Sequence, residues 1–253
     1  LDPVFNPEDQ SYTGLLTFGS FVQRSEGRRF EHAQLDVGYI GQNSGAQALQ
    51  EFAHSVLPEQ GDPTWVAQQA SGLAVFGTYQ RRWKLRWAQN SRGEFGLLSG
   101  SDLDAVYAGS ASSGGPGFEI IPYAGGRLGN IYADASFGAI FRIGWPLPSD
   151  FGQSRIFDFT DHTRRAADGL SFSLFASAGG RLVARNALIE GNILGGDRRL
   201  GPKPFVGEFS GGAQLEYQGW ILAYSQSLLT EEFNGQNGVS RFGTFTLTFN
   251  LAY

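Results

Sequence analysis

Between Gly243 and Tyr253 apolar and polar residues alternate strictly: Phe245, Leu247, Phe249, Leu251 and Tyr253 fall on one face, Thr244, Thr246, Thr248 and Asn250 on the other. A period of two marks a strand with unlike faces, because successive side chains of an extended chain point to opposite sides. The same pattern recurs upstream. Ala33, Leu35, Val37 and Tyr39 oppose His32, Gln34 and Asp36; Leu73, Val75, Tyr79, Trp83, Leu85 and Trp87 oppose Thr78, Gln80, Arg82, Lys84 and Arg86. Phe95, Leu97, Leu103, Ala105 and Tyr107 oppose Gly100, Asp102 and Asp104, which predicts a further strand across 95–107. Comparable runs lie at 131–143, 172–184 and 205–217, and less regular ones near 12–22 and 219–230.

The polar faces carry too many Arg, Lys, Asp and Glu side chains for the solvated side of a small sandwich, and they suit a hydrated lumen in which opposite charges pair. The apolar faces then meet lipid, and a last strand closing on an aromatic is usual for an outer-membrane barrel. The expected fold is an all-β, antiparallel transmembrane β-barrel, 1–253 forming a single domain with about nine strands present. With the C-terminus periplasmic, the loops at 42–71, 111–126, 190–203 and 232–238 are expected outside, and those at 23–28, 88–94 and 218–219 inside. The 145–168 stretch becomes a long periplasmic connection. The first visible strand then runs toward the periplasm. A closed bacterial barrel has an even number of strands, so about three of about twelve are expected to precede residue 1. Leu1-Asp2-Pro3 has no charged or apolar leader character, and Met is absent, in keeping with that expectation.

Composition narrows the class. The chain has 36 glycines and 17% charged residues, and its mean hydropathy is -0.21. No apolar run approaches the ~18 residues of a spanning helix, a limit that leaves barrels open because only every second residue meets lipid. Cysteine is absent, which removes disulfides, thiolate metal sites and a Cys nucleophile. A formal net charge of -5 gives no basic footprint for nucleic acid.

The 42–71 loop breaks the strand pattern. Ala46, Leu49, Ala53 and Val56 recur at three- and four-residue spacing and Pro58 ends the run, which predicts a short helix in an external loop. Gln50 and His54, four residues apart, share another face. A titratable imidazole beside an amide at the outer-leaflet level suits a general base; a lone His on a loop helix is also a common surface residue. Arg82, Lys84 and Arg86 either pair with Asp36, Asp102 and Asp104 on neighbouring strands or contact acidic and phosphate groups of a ligand. Trp65 either anchors in the interface or lines an acyl groove.

Several of these stretches resemble the lipid A 3′-O-deacylase family of outer-membrane barrels. The likeness rests on Gly41-Gln42-Asn43-Ser44-Gly45-Ala46, Gln50, His54 and Pro63-Thr64-Trp65-Val66-Ala67-Gln68, preceded by Asp9-Gln10-Ser11-Tyr12-Thr13-Gly14. It continues in Arg185-Asn186, Ile189-Glu190-Gly191-Asn192, Lys203-Pro204, Val206-Gly207, Glu232-Phe233 and Gln236. Gln10-Ser11, Gln69-Ala70 and Glu190 stand where the family has Arg-Pro, Asn-Glu and Asp. The resemblance implies an esterase of the Gram-negative outer membrane that removes the 3′-linked acyl chains of lipid A and depends on Ca2+. It implies His54 as catalytic base and Gln50 as its neighbour, with the metal ligands unassigned; Arg82, Lys84 and Trp65, read from the residues themselves, are then candidate lipopolysaccharide contacts. The family's Asn-Asp pair and hydroxyl residue match no position here, so this stretch alone is expected to be inactive. A monomer is expected. The competing reading is a non-catalytic barrel, a small channel or a structural protein. A phospholipase-type barrel with a Ser nucleophile finds no Ser and His in register on a lipid-facing strand.

Overall fold

The computed structural model describes residues 13–56, 65, 69–90, 92–107, 115–152, 169–191 and 200–249, apart from the side chains of residues 53 and 54. Its strands are β1 (Leu15–Glu26), β2 (Arg29–Ile40), β3 (Gly72–Trp83), β4 (Leu85–Gln89), β5 (Phe95–Leu97), β6 (Gly117–Gly129), β7 (Tyr132–Trp145), β8 (Ser171–Asn186), β9 (Phe205–Tyr217), β10 (Trp220–Leu229) and β11 (Ser240–Phe249). Among the described residues three α-helices join them: α1 (Ala46–Val56), α2 (Gly100–Tyr107) and α3 (Ala187–Glu190). Nine long strands among the described residues form one curled antiparallel sheet in the order β1-β2-β3-β6-β7-β8-β9-β10-β11, and β4 prolongs β3 to pair with β5 and β6. Among the described residues β1 pairs with β2 and β11 with β10, and no ladder joins β1 to β11.

The period-two reading holds where it was clearest. Phe245, Leu247 and Phe249 of β11 are exposed on the outer face, and Tyr224–Phe245 and Trp220–Phe249 meet at 4.7 and 4.5 Å between ring centres. Leu251 and Tyr253 lie outside the described residues. The tight β9–β10 turn places both Gln218 (φ 47) and Gly219 (φ 86) in the left-handed region, the twist a two-residue hairpin requires.

One expected strand is replaced by another. The 95–107 segment is the short β5 followed by α2, and the missing long strand is β6, in a region expected as an external loop. Ser99 and Asp102 explain the helix. Ser99 Oγ accepts from the Asp102 amide at 3.1 Å, and the Asp102 carboxylate accepts from the Ser99 amide at 2.9 Å, a reciprocal cap on the first turn. The Ser99 hydroxyl and then its amide hold the Asp102 carboxyl below its usual range. Leu103 seats the helix on Ala88 and Leu98, and Asp104 accepts from Gly27 at the β1–β2 turn at 2.8 Å. β6 escapes the alternation because Ile121 and Tyr123 face inward, into an apolar lumen layer with Ile140 and Phe175. Pro122 also interrupts it. Lacking an N–H, Pro122 cannot continue the ladder to Trp83, and β3 and β4 part there at Lys84.

The rim bearing the β1–β2 and β9–β10 turns is closed by residues 146–152, which follow β7 and fold back into the lumen. Arg82 Nη1 donates to the Phe151 carbonyl at 2.9 Å and Lys84 Nζ to the Ser149 carbonyl at 2.8 Å. Arg86 and Arg142 each donate through Nε to Glu119 at 2.7 Å, and Arg142 also reaches Asp150 at 2.7 Å. Phe151 is fully buried and stacks on Phe30 at 5.5 Å. The basic row therefore does not pair with Asp36, Asp102 or Asp104, whose carboxylates accept instead from Gln34, Ser99 and Gly27. Alternation shows that the row faces inward; the partner it finds is a segment that shows no alternation.

Candidate functional site at the α1 rim

The opposite rim gathers the chain's irregular connections. Its floor is an apolar cluster of Ile40, Ala74, Phe76, Ile131, Tyr132 and Ala187. Over this floor Arg127 pairs with Asp134 at 2.5 Å, and its guanidinium carbon lies 3.7 Å from the centre of the Tyr132 ring. Asn130, in the β6–β7 turn, accepts from the Val75 amide at 2.7 Å and donates to the Leu73 carbonyl at 2.6 Å, fixing the turn to the top of β3.

β8 ends in α3. Asn186 caps the helix by accepting from the Leu188 amide at 3.1 Å, and Glu190 folds back to accept from the Asn186 amide at 3.0 Å. Arg185 donates to the carbonyls of Asn130 at 2.9 Å and Gly191 at 3.3 Å. The β9 and β10 ends are tied by the Lys203 amide to the Glu232 carbonyl at 2.8 Å and by a Pro202–Phe233 bridge. Gln236 accepts from the Glu232 amide at 2.7 Å, and Arg181 joins Glu208 and Glu232 at 2.6 and 3.3 Å.

α1 is helical as its spacing predicts. A 3-10 turn, Gln42–Ser44, lifts the chain off β2, and Asn43 donates through its amide to the Ser71 hydroxyl at 2.9 Å. Gly41 (φ 86) bonds back to the Gly14 carbonyl at 2.8 Å and packs so closely on the Gln69 and Ala70 carbonyls that a Cβ there would collide with both. Gly14 continues the outward set of Leu16 and Phe18, and a Cβ on it would run into Ser44 Oγ and Ala46 Cβ. The first turn of α1 therefore lies on the outer side of the wall. Gln69, buried, reaches across to donate to the Ala187 carbonyl at 3.0 Å.

Of the residues singled out from sequence, Gln50 is half-buried on α1 and Trp65 is half-buried beyond it. His54 belongs to the helix by its backbone, and its side chain lies outside the described residues, as do Pro63, Thr64 and Gln68. Arg82 and Lys84 are not brought to this rim. Both are wholly buried at the other one, their side-chain nitrogens bonded to main-chain carbonyls of residues 149–152. What sequence reading missed is the scaffold under the rim, the buried Tyr132 with the half-buried Arg127, Asn130 and Asp134, which shows no motif because its members come from both sides of one turn.

The family model described as outer membrane protein LpxR matches residues 2–251. The chain belongs to the LpxR family. LpxR from Salmonella typhimurium is structurally similar, with a TM-score of 0.66 over 97% of this chain and 75% of that one, at 18% identity. No curated protein sequence matches the chain. Membership of the LpxR family places it in the outer membrane, so the exposed apolar rows of the sheet face lipid and the Arg82–Glu119–Arg142 layer is lumenal. No helix among the described residues is long and apolar enough to cross a membrane. Calcium, implied by the resemblance, finds no group of three or more His, Asp or Glu side chains among the described residues, so no ligand is assigned to it.

Proposed function

We propose that the protein hydrolyses the 3′-linked acyl ester of lipid A at the α1 rim, with that rim facing the cell exterior. His54 acts as general base and Gln50, one turn before it, as its orienting neighbour. The observation that carries the reading is convergence. Segments scattered over more than two hundred residues that resemble the lipid A 3′-O-deacylases, from Gly14 and Gly41-Ala46 to Asn186-Gly191 and Glu232-Gln236, meet at one rim. The ester to be cleaved lies at the level where acyl chains join the sugar headgroup, the level such a rim occupies.

In this reading a neutral imidazole takes the proton of water as its oxygen attacks the ester carbonyl. The tetrahedral oxyanion then collapses, the carbonyl carbon–sugar oxygen bond breaks, the sugar leaves as an alcohol with a proton, and the fatty acid remains as carboxylate. Trp65 contacts the acyl chains. A divalent cation would polarise the carbonyl when bound.

The competing channel reading is opposed by the lumen, where Arg82, Lys84, Arg86, Arg142, Phe30 and Phe151 are all buried around residues 146–152. The test is mass spectrometry of lipid A from Gram-negative cells expressing the complete gene. His54→Ala is expected to reduce release of the 3′ acyl chains by at least ~100-fold while the barrel still folds, and Gln50→Ala to do less, since an amide cannot accept the proton at neutral pH. Release at the parent rate from His54→Ala would remove His54 from the mechanism and leave the fold as the whole of the resemblance.

A further inference from the structure

α1 is exposed on more than one face: Gln47, Glu51 and Ser55 are exposed, and so is an apolar stripe. Leu49, Phe52 and Val56, which share one face at three- and four-residue spacing, are 70%, 67% and 63% exposed, whereas the polar Gln50 is half-buried. In an aqueous loop the opposite arrangement is expected, since a contiguous apolar stripe turned outward is an aggregation hazard. The sheet beside it also turns apolar residues outward, because its outer face meets lipid.

The two apolar surfaces are continuous. Leu16, Tyr39 and Leu73 are neighbours in register across β1, β2 and β3 at this rim, and all three are exposed on the outer face. Gly14 lies two residues before Leu16, and it is against the outer side of Gly14 that Ser44 and Ala46 pack. The helix thus departs from the lipid-facing side of the wall, not from the lumen. Its polar residues are consistent with a helix lying flat at an interface: Gln47 donates to Glu51 at 2.8 Å on the face away from the stripe.

We propose that α1 is an interfacial membrane helix, with Leu49, Phe52 and Val56 immersed among the acyl chains of the leaflet at its rim and Gln47 and Glu51 at headgroup level. Immersion fixes the helix about its own axis. The Gln50 face is then held between headgroup and wall, at the depth where an acyl ester lies. The inference rests on the outer-membrane placement of the family and stands whether or not the rim hydrolyses an ester.

These 253 residues hold no cysteine, so one introduced Cys is the single label site among them. Phe52→Cys and Gln47→Cys, made in the protein from the complete gene, would carry a nitroxide in vesicles of phosphatidylcholine and lipopolysaccharide. Collision rates with oxygen, which concentrates in acyl chains, and with a water-soluble nickel chelate report the surroundings. At position 52 the oxygen-to-nickel ratio is expected to exceed that at position 47 several-fold, and Val56→Cys on the same stripe should repeat the result. Equal ratios at 52 and 47 with strong nickel collisions would place the stripe in water and overturn the proposal. Low collision with both reagents at 52 and 56 would show the stripe covered by protein, another part of the chain or a second copy, and would overturn it equally. Loss of acyl release with the ratios unchanged would bear on the esterase reading alone.

Discussion

Gln69 donates to the main-chain carbonyl of Ala187 at 3.0 Å across 118 residues of sequence, joining the segment that follows α1 to the turn where β8 becomes α3. The bond is buried, and the Gln69 carbonyl is one of the two groups that require glycine at position 41. Gln69 therefore links both ends of the rim to a single point.

Replacing it with leucine keeps the volume and removes the bond. Gln69→Leu is expected to cost about 1 kcal/mol in global stability, the usual net value of one hydrogen bond. The larger effect is local: amide exchange in 41–45 and 187–191 should rise well above that of the β7–β8 ladder. Unchanged protection in both segments, measured by exchange and mass spectrometry, would show that the rim is held by other contacts.

The lumenal carboxylate Glu119 accepts from Arg86 and Arg142, all three side chains being wholly buried. Glu119→Gln leaves the shape and removes the charge that the two guanidinium groups face. Breaking a buried pair by removing one partner typically costs ~3–5 kcal/mol, because the remaining charge stays desolvated. Urea unfolding of the refolded barrel should show a loss of that size, and the half-exposed Arg81–Glu31 pair, close to the β1–β2 rim, should lose far less when neutralised by Glu31→Gln.

Helix α2 depends on the reciprocal cap between Ser99 and Asp102. Ser99→Ala is expected to cost about 1 kcal/mol, read as faster exchange in the first turn of the helix. Because the Asp102 carboxyl is held below its usual range by Ser99, its contribution is present above the unfolded carboxylate pKa. It is lost as pH falls through the lower folded value. In the parent the first-turn protection should therefore fall on acidification, and in Ser99→Ala this acid dependence should be largely gone.

Phe245 lies near the middle of β11 and is exposed on the lipid side, whereas Thr246 beside it faces the lumen. Phe245→Arg is expected to destabilise the barrel in phospholipid vesicles by ~2–4 kcal/mol, the range for a basic residue near the bilayer midplane. Thr246→Arg should cost much less. Equal costs for the two would contradict the assignment of the faces.

The alternation at 243–249, 205–217, 172–184 and 73–83 determined the strands and their outward faces without help from the tertiary structure. An extended chain sends neighbouring side chains to opposite sides wherever it lies. The three- and four-residue spacing of Ala46, Leu49 and Val56 likewise determined α1, since it is the geometry of one helix face. The cap at Ser99 and Asp102 was also written in the sequence, as a Ser-x-x-Asp spacing, though alternation in the same residues suggested a strand.

What lay beyond such local rules was depth and partnership. Arg82, Lys84 and Arg86 occupy inward positions by period, yet period cannot say that residues 146–152 will return into the lumen to receive them. β6 could not be read because its inward residues meet an apolar layer, which removes the contrast between faces, and because Pro122 resembles a strand breaker until β3 and β4 are seen to part opposite it. The rim itself is a tertiary object. Gln69 and Ala187, Gly14 and Ala46, Lys203 and Glu232 become neighbours only when the sheet curls, because local spacing constrains residues a few positions apart and says nothing of those brought together by closure.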